Sequence, residues 1–499
     1  MILFKKTYII HPYLFALFPV LSVFSTNIGQ TNIVYLCVPV FALTVFVWIA
    51  HRTGRWFLKN DHISAILVSF LIIFIFSYDL FSHALLRLNI DGFIFKRHMY
   101  RMALYVPLSA LVAYVIIKLN SKFNEMTKVL NLISILLVSL CIMQMGYFSF
   151  KLSDEHSTVA SDSVPDIKNN ITTPDIYYII LDGYAREDVL KEVFSYDNSD
   201  FTHILREKGF FIPKQARSNY AITNLSIPSS TNLNYLHSGN QYTESENDAK
   251  IFLENRGYKY YHISSTIWEN GKGPLLDLNN FFANEFTLLI LRKTVVDSIA
   301  PRFNLYAYFL RQAILYDFEK LNSMPSIPGK KFVLAHIMAP HPPYIFGPNG
   351  EYTMIVPLDI SMNIFKTPWD NKNGYVNQLR FVNKKIKETL EIIIKESKQP
   401  PIIILQADHG PHLSVDKDNE ARISMRILNA YHLPNGGNQV LYDTITPINT
   451  FRVIFNYYFD YGIPLLADKC YYSAFSSPYM YSDLTDFVSS DITLNESEK

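Results

Sequence analysis

Two short apolar runs of the sequence each end in an aspartate and a nearby glycine. The run IYYIIL precedes Asp182 and Gly183, and the run IIILQA precedes Asp408, His409 and Gly410. Carboxylate oxygens and an imidazole nitrogen are ligands that suit Zn²⁺ or Mn²⁺. A glycine beside them leaves the backbone open to an ion or its substrate. These residues therefore predict metal binding, provided that the two runs are neighbours in the fold.

A purely structural role is the alternative for each aspartate taken alone. Asp before Gly commonly forms a turn or caps the following helix. The two runs occur in one chain with the hydroxyl and histidine segments described next, and this combination favours a metal site.

Four hydroxyl groups are candidate nucleophiles near the start of a predicted helix in SNYAITNLSIPSSTNLNYLHSG, residues 218–239: Thr223, Ser226, Ser229 and Ser230. A metal ion can lower the pKa of an alcohol as it does that of water, and free N–H groups at a helix start favour an anionic ester. Because most of these hydroxyls could equally cap the helix, we expect at most one nucleophile among them.

Two histidines lie in LAHIMAPHPPYIF, where His336 ends a predicted strand and His341 enters a proline-rich loop. Histidine at these positions could bind a metal or the charged oxygens of a transferred group. A single histidine at a strand end is more often structural. Two of them beside the predicted carboxylates favour a functional role.

A mainly parallel sheet is the element that would bring these residues together. Short apolar runs rich in Ile are typical of strands buried on both faces, and open α/β sheets bind ligands at the carboxyl ends of their strands. KFVLAHI, residues 331–337, predicts a third strand, and residues 374–397 have helical spacing. Strands that alternate with helices predict an α/β domain.

The first 150 residues predict a different environment, because they contain five apolar segments of about membrane-spanning length: residues 8–25, 31–50, 62–85, 100–117 and 127–148. The first could instead be a signal peptide, but it shows no obvious cleavage site. An odd number of spans and a basic N-terminus predict a cytoplasmic start and an outer C-terminal part. We therefore expect a transmembrane domain over 1–149, a linker over 150–173 and a catalytic domain over 174–499.

The overall composition excludes some functions. The 45 basic and 44 acidic residues are nearly balanced, so no nucleic-acid partner is predicted. Cys37 and Cys141 fall in predicted spans, which leaves Cys470 alone in the outer part and allows no disulfide there. A domain of this length can bury enough apolar surface without disulfides.

Four motifs in this order resemble the alkaline phosphatase superfamily, in the sulfatase-like branch that includes lipoteichoic acid synthase and lipid A phosphoethanolamine transferase: LDGY, TNLSIP, HIMAPHPPY and ADHG. The resemblance implies an alkaline-phosphatase-like domain whose sheet is sandwiched by helices, after a five-helix transmembrane bundle. It implies that Asp182, Asp408 and His409 bind zinc or manganese and that Thr223 is both nucleophile and ligand. His336 and His341 resemble histidines that hold phosphoryl oxygens or a second metal.

The sequence departs from these transferases in some respects. It lacks their disulfide cysteines, and neither His412 nor His432 clearly matches the histidine that follows their Asp-His pair. Sulfatases of this group carry a cysteine, oxidised to formylglycine, at the nucleophile position. No cysteine lies near Thr223, so sulfate-ester hydrolysis through formylglycine is not expected.

The resemblance and the membrane segments together predict a multi-pass enzyme of the bacterial cytoplasmic membrane with its catalytic domain outside. It would transfer phosphoethanolamine or phosphoglycerol from a phospholipid, through a phospho-threonine intermediate, to an envelope glycan or lipid. One alternative is a membrane-anchored phosphodiesterase or other ester hydrolase that uses water. Another is a catalytically inactive envelope scaffold. The sequence leaves the donor, the acceptor and the oligomeric state open.

Overall fold

The computed structural model describes most of the chain, namely residues 7–26, 36–87, 98–119, 122–156, 174–236, 247–264, 290, 293–295, 305–353, 369–473, 480–490 and 492. The chain divides into two compact units. The first comprises residues 1–163, 276–305 and 359–363, and the second comprises residues 164–275, 306–358 and 364–499.

The first unit contains the apolar N-terminal segments as helices, which confirms the predicted bundle of five: α1 (His11–Thr26), α2 (Cys37–Leu58), α3 (Asp61–Arg87), α4 (His98–Leu119) and α5 (Phe123–His156). Each helix coincides with a stretch rich in Leu, Ile, Val and Phe. An apolar segment of this kind is compatible with lipid when it is helical, because a helix pairs all its backbone N–H and C=O groups internally. Residues 157–173 of the predicted linker and the start of the second predicted span lie outside the described residues.

Four of these helices are long and apolar enough to cross a membrane: Cys37–Leu58, Asp61–Tyr78, Tyr100–Lys118 and Phe123–Tyr147. Helix α1 has 16 residues and is shorter. The backbone N–H of His11 donates to Asn131 Oδ1 at 3.0 Å, and Ser25 Oγ donates to Gln144 Oε1 at 3.2 Å. Helices α1 and α5 therefore run side by side in the same direction over about 20 Å at 1.5 Å per residue.

The second unit is built on a five-stranded sheet of order β2-β3-β1-β4-β5. Its strands, in chain order, are β1 (Ile176–Leu181), β2 (Lys259–Ser264), β3 (Lys331–Ile337), β4 (Ile402–Gln406) and β5 (Asn429–His432). β1 pairs in parallel with β3 and β4, β3 pairs in parallel with β2, and β5 is antiparallel to β4. The predicted mainly parallel sheet is thus confirmed.

The central strands β1, β3 and β4 are buried at every residue, as expected for runs of Ile, Leu and Val that pack on both faces of a sheet. On one face, β1 contributes Ile176, Tyr178 and Ile180 to the main core cluster. The two faces of such strands alternate along the chain, so Tyr177 and Ile179 point to the opposite face.

Helices connect the strands and cover the sheet, in chain order α6 (Glu187–Phe194), α7 (Ser199–Glu207), α8 (Thr223–Thr231), α9 (Asp248–Glu254), α10 (Leu305–Ser323), α11 (Lys372–Glu396), α12 (Lys417–Met425) and α13 (Pro447–Phe459). Helix α13 packs its Phe451, Ile454 and Phe455 into the main core cluster. Helix α11, predicted over 374–397, buries Leu379, Ile386 and Ile393 completely. A short hairpin follows α13 and consists of β6 (Tyr471–Tyr472) and β7 (Ser482–Asp483).

Candidate metal centre

The sheet brings the two predicted aspartates to the same level of its carboxyl edge. In the parallel pairing of β1 with β4, Ile180 lies opposite Gln406. Asp182 and Asp408 each follow two residues later, so they leave neighbouring strands at the same height. The backbone N–H of Gly183 donates to Asp408 Oδ1 at 3.1 Å and joins the two strand ends directly.

Asp182, Asp408 and His409 form one group whose ligand atoms all lie within 4.8 Å of one another. His409 Nε2 lies 3.3 Å from Asp408 Oδ2 and 3.8 Å from Asp182 Oδ1. The three side chains are at most 5% exposed. Oδ1 of Asp182 is buried and accepts no hydrogen bond from the described residues. Two carboxylates and an imidazole thus converge on one point away from water.

The backbone around His409 fixes the orientation of its ring. Nδ1 lies 2.8 Å from the carbonyl oxygen of Gly410, and donation to that oxygen leaves Nε2 facing the two carboxylates. The next residue must be glycine, since a Cβ at Gly410 would stand 2.4 Å from the carbonyl oxygen of Ile423. Close packing against the end of α12 therefore explains the glycine of ADHG.

The electrostatics of the group favour a positive charge at its centre. Burial lowers the pKa of His409, but the carboxylates of Asp408 and Asp182 outweigh burial and raise it above its usual value. Burial likewise opposes ionisation of Asp182, yet His341, then His336 and His409, hold the pKa of this carboxyl well below its usual range. The negative charge of the two carboxylates would stabilise either a proton or a metal ion at His409 Nε2.

Thr223 is the first residue of α8, and its hydroxyl points at this group. Oγ1 donates to Asp408 Oδ2 at 2.7 Å and lies 3.2 Å from His409 Nε2. One turn later, Ser226 Oγ donates to the carbonyl oxygen of Asp408 at 2.6 Å and ties the helix to the strand end. Thr223 is partly exposed, whereas residues 225–231 of the helix are buried. Among these positions it is Thr223 that an incoming molecule can reach.

The other candidate hydroxyls have structural partners. Ser229 Oγ donates to the carbonyl oxygen of Ser226 at 2.8 Å. Ser230 Oγ donates to the carbonyl oxygen of Pro447 at 3.1 Å and lies 2.9 Å from the hydroxyl of Tyr178. That at most one of the four is a nucleophile stays a prediction. The contacts show that, of the four hydroxyls, it is Thr223 Oγ1 that donates to a carboxylate of the group.

His336 and His341 lie on the Asp182 side of the group. His336 is fully buried in β3, and its Nε2 is 3.3 Å from Asp182 Oδ2. The backbone N–H of His341 donates to the carbonyl oxygen of Asp182 at 3.0 Å, and its Nδ1 lies 2.5 Å from the carbonyl oxygen of Pro342. Burial lowers the pKa of His341 more than Asp182 raises it. Both histidines thus adjoin Asp182.

Sequence reasoning missed Trp369, which forms a wall of the site. Its ring lies at 79° to the ring of His341 with centroids 4.7 Å apart. A Cβ at Gly183, whose φ is +73°, would stand 2.5 Å from the Trp369 ring. The glycine of LDGY therefore serves both a left-handed turn and this close contact. Trp369 follows no periodic segment, and only the tryptophan itself could have drawn attention to it.

His412 and His432 lie at opposite edges of the sheet. The ring of His412 lies beside that of His409, with centroids 4.9 Å apart. His432 pairs with Ile403 near the start of β4, and its Nδ1 lies 2.9 Å from the carbonyl oxygen of Pro401. His432 is therefore remote from the strand ends that carry the candidate ligands, and His412 adjoins them.

Comparison with solved structures gives matches at low identity. The C-terminal periplasmic domain of phosphoethanolamine transferase EptC from Campylobacter jejuni is 13% identical, with 57% of this chain and 89% of that chain covered and a TM-score of 0.34. The corresponding EptC domain from Escherichia coli, in complex with Zn, is 10% identical over 59% and 86%, with a TM-score of 0.38. A putative sulfatase from Bacteroides fragilis is 14% identical over 60% and 77%, with a TM-score of 0.36.

No family model and no curated protein matches the sequence. Similarity at the level of these solved structures assigns no activity by itself. The four sequence motifs resemble the sulfatase-like branch that includes lipoteichoic acid synthase and lipid A phosphoethanolamine transferase.

Proposed function

We propose that Asp182, Asp408 and His409 bind a divalent metal ion, Zn²⁺ or Mn²⁺, beside the nucleophile Thr223. Buried charges in proteins are paired or coordinate metals, and Oδ1 of Asp182 has no hydrogen bond among the described residues. Oxygen and imidazole nitrogen suit these two ions. When bound, such an ion lowers the pKa of an adjacent alcohol and offsets negative charge on a phosphoryl oxygen.

The single observation that carries this proposal is the position of Thr223 Oγ1, 2.7 Å from Asp408 Oδ2 and 3.2 Å from His409 Nε2. The hydroxyl donates its proton to Asp408 Oδ2, and a lone pair of the same oxygen is the electron pair that would attack. Thr223 is partly exposed at the start of a helix whose residues 225–231 are buried, and this exposure gives a substrate access to it. The first-turn N–H groups of α8 would favour negative charge on the esterified oxygen.

The proposed reaction moves a phospho-alcohol head group in two steps. In the first, a bond forms between Thr223 Oγ1 and the phosphorus of a phospholipid, while the bond from phosphorus to the diacylglycerol oxygen breaks. That oxygen takes up the proton that Thr223 loses, and a phospho-threonine ester remains. In the second step an acceptor hydroxyl or amine on an envelope glycan or lipid displaces Thr223, which regains a proton.

His336 and His341 have a supporting role in this proposal. Both adjoin Asp182, and imidazole N–H groups there would hold the phosphoryl oxygens of the transferred group. The same two imidazoles beside a carboxylate would also serve a second metal ion.

The helices of the first unit support a lipid substrate. Four of them are long and apolar enough to cross a membrane, and α1 runs parallel to α5. If α5 crosses outward, α1 does so as well, and the N-terminus lies on the opposite side from the chain that follows α5. We propose a multi-pass protein of the bacterial cytoplasmic membrane, with residues 174–499 as an outer catalytic domain that meets phospholipid head groups at the interface.

Intact-mass analysis of the full-length protein purified from its membrane tests this proposal. We expect wild type to carry a covalent adduct of the mass of phosphoethanolamine or phosphoglycerol, and Thr223→Ala to carry none. Thr231→Ala is the matched control, because Thr231 lies on the same helix and its hydroxyl donates to the carbonyl oxygen of Ile227 at 3.0 Å. We expect the control to carry the adduct.

An adduct that persists in Thr223→Ala would overturn the assignment of the nucleophile. Incubation with labelled phospholipid, with and without envelope glycolipid, then addresses the acceptor. Release of free head group at the same rate under both conditions would contradict transfer and indicate a phosphodiesterase. Wild type that forms no adduct and releases no diacylglycerol would indicate a scaffold.

A further inference from the structure

His412 contacts the loop that leads into the helix of Thr223. Its Nε2 lies 2.9 Å from the carbonyl oxygen of Ala221, and its Nδ1 lies 2.7 Å from Glu420 Oε1. Both partners are oxygen acceptors, a carbonyl and a carboxylate, and each lies within hydrogen-bonding distance of one ring nitrogen. The ring thereby joins the loop after β4 to the loop before α8.

The C-terminal hairpin, β6 and β7, contacts the carboxylate oxygen of Glu420 that does not bond to His412. The hydroxyl of Tyr472, in β6, donates to Glu420 Oε2. The neighbouring backbone N–H of Tyr471 donates to the carbonyl oxygen of Asn219 at 2.8 Å. The hairpin therefore holds the loop of residues 219–222 directly at Asn219, and through Glu420 and His412 at Ala221.

This hold matters because α8 begins without a side-chain cap. Ile222 is the N-cap residue, has an extended backbone (φ −132°, ψ 130°), and its side chain makes no capping hydrogen bond. The isoleucine side chain has no oxygen that could accept from the first turn, so only the backbone carbonyl of Ile222 accepts there, from the N–H groups of Leu225 and Ser226 at 3.0 and 2.9 Å. The bond from His412 to Ala221 thus restrains the chain two residues before Thr223, while Ser226 restrains it three residues after, at the carbonyl oxygen of Asp408.

We propose that His412 is a positioning residue, oriented by Glu420 and Tyr472, that fixes the first turn of α8 so that Thr223 Oγ1 faces the carboxylate group. The proposal rests on the function proposed above for Thr223. It assigns a role to the Tyr-rich C-terminal region, whose hairpin would act on the reaction without contact with substrate.

Amide substitutions can separate the two bonds of His412. The amide nitrogen of Gln can reach the position of Nε2, and that of Asn the position of Nδ1. His412→Gln therefore keeps a donor for Ala221, whereas His412→Asn keeps one for Glu420. We expect Asn to lower kcat by about 10- to 100-fold, because misplacement of a reacting group by about 1 Å can cost 100-fold. Gln should retain more activity than Asn.

The assay uses the full-length protein in detergent micelles that contain phosphatidylethanolamine and phosphatidylglycerol with a fluorescent acyl chain. Release of fluorescent diacylglycerol gives kcat and KM. We expect KM, the content of zinc or manganese and the melting temperature of the His412→Asn variant to stay close to wild type, because His412 bonds to Ala221 and Glu420 and is not one of the proposed ligands. His203→Gln is the control, since His203 is an exposed histidine that pairs with Glu207 at 3.2 Å on α7.

The hydrogen bond from Tyr472 to Glu420 gives a second variant. Tyr472→Phe removes one hydroxyl and should lower kcat several-fold. Combined with His412→Asn it should add little, since residues of one hydrogen-bonded network are not additive. Tyr457→Phe is the matched control, because the hydroxyl of Tyr457 donates to the carbonyl oxygen of Asn435 at 2.6 Å in an exposed region.

The outcomes separate this inference from the function on which it rests. If Thr223→Ala releases diacylglycerol as wild type does, the proposed function fails. If Thr223→Ala is inactive while His412→Asn matches wild type, the positioning role is overturned. Equal losses in the Asn and Gln variants, accompanied by a lower melting temperature, would also overturn it, because they would indicate a purely structural role.

Discussion

The two edges of the central sheet carry the same kinds of residue and use them differently. At the amino edge, Asp175 and Lys331 form an ion pair at 2.5 Å, and the backbone N–H of Lys331 donates to Asp175 as well. His432 at that edge lies against the carbonyl oxygen of Pro401. At the carboxyl edge, the side chains of Asp182 and Asp408 lie against the imidazoles of His336 and His409, and within the part of the chain that the structure describes neither Lys nor Arg pairs with them.

This difference shows which acidic residues are structural. The amino edge neutralises its charge within the fold, so nothing further is needed there. The carboxyl edge concentrates two buried carboxylates, leaves Oδ1 of Asp182 without a hydrogen bond among the described residues, and turns the hydroxyl of Thr223 toward them. A buried carboxylate with a perturbed pKa, such as that of Asp182, is the pattern expected of a functional centre, and four substitutions can break or sharpen the contrast.

The largest effect should come from Asp182→Asn. Loss of one carboxylate removes a ligand and the charge that attracts the ion, so diacylglycerol release should fall by on the order of 1,000-fold or more. The content of zinc or manganese, measured by elemental analysis, should fall with it. A variant that keeps both the metal and the activity would show that the carboxyl edge is no more functional than the amino edge.

Asp175→Asn is the corresponding change at the amino edge and should affect stability instead. It leaves the ammonium of Lys331, only 4% exposed, without its carboxylate, and breaking a buried pair costs about 3 kcal/mol. Thermal melting should show the loss, while kcat of the folded protein stays near the wild-type value. Full stability with reduced turnover would reverse the roles given to the two edges.

The smallest effects should distinguish the histidines of the two edges. His336→Gln removes the imidazole beside Asp182 and should lower turnover by about 10- to 100-fold, the usual range for groups that orient metal ligands. His432→Gln should stay within about two-fold, as expected of a substitution away from the site. The kinetic assay described above, run on both variants side by side, provides the measurement, and similar losses in the two would remove the distinction.

Local sequence patterns were sufficient for the elements that carry the site. The Ile-rich runs ending at Leu181 and Gln406 predict strands because such residues pack well on both faces of a sheet, and β1 and β4 confirm them. The helical spacing of 374–397 is likewise confirmed by α11. These patterns depend on neighbours in the chain, and a single sequence displays them directly.

Contacts between distant segments were not visible in the same way. That β1 lies between β3 and β4 depends on how all the helices pack, and no local pattern states it. The choice of Thr223 over Ser230 depends on which hydroxyls find backbone partners after folding. Trp369 and Glu420 approach the site from segments with no chemical motif of their own, so their positions follow from tertiary packing alone.

The pairing of α1 with α5 has a consequence for biogenesis. Helix α1 contacts Asn131 and Gln144 of α5, which are synthesised more than one hundred residues later. The contact between α1 and α5 can therefore form only after α5 has been synthesised. Most of the second unit, including the sheet and Thr223, is synthesised after that point.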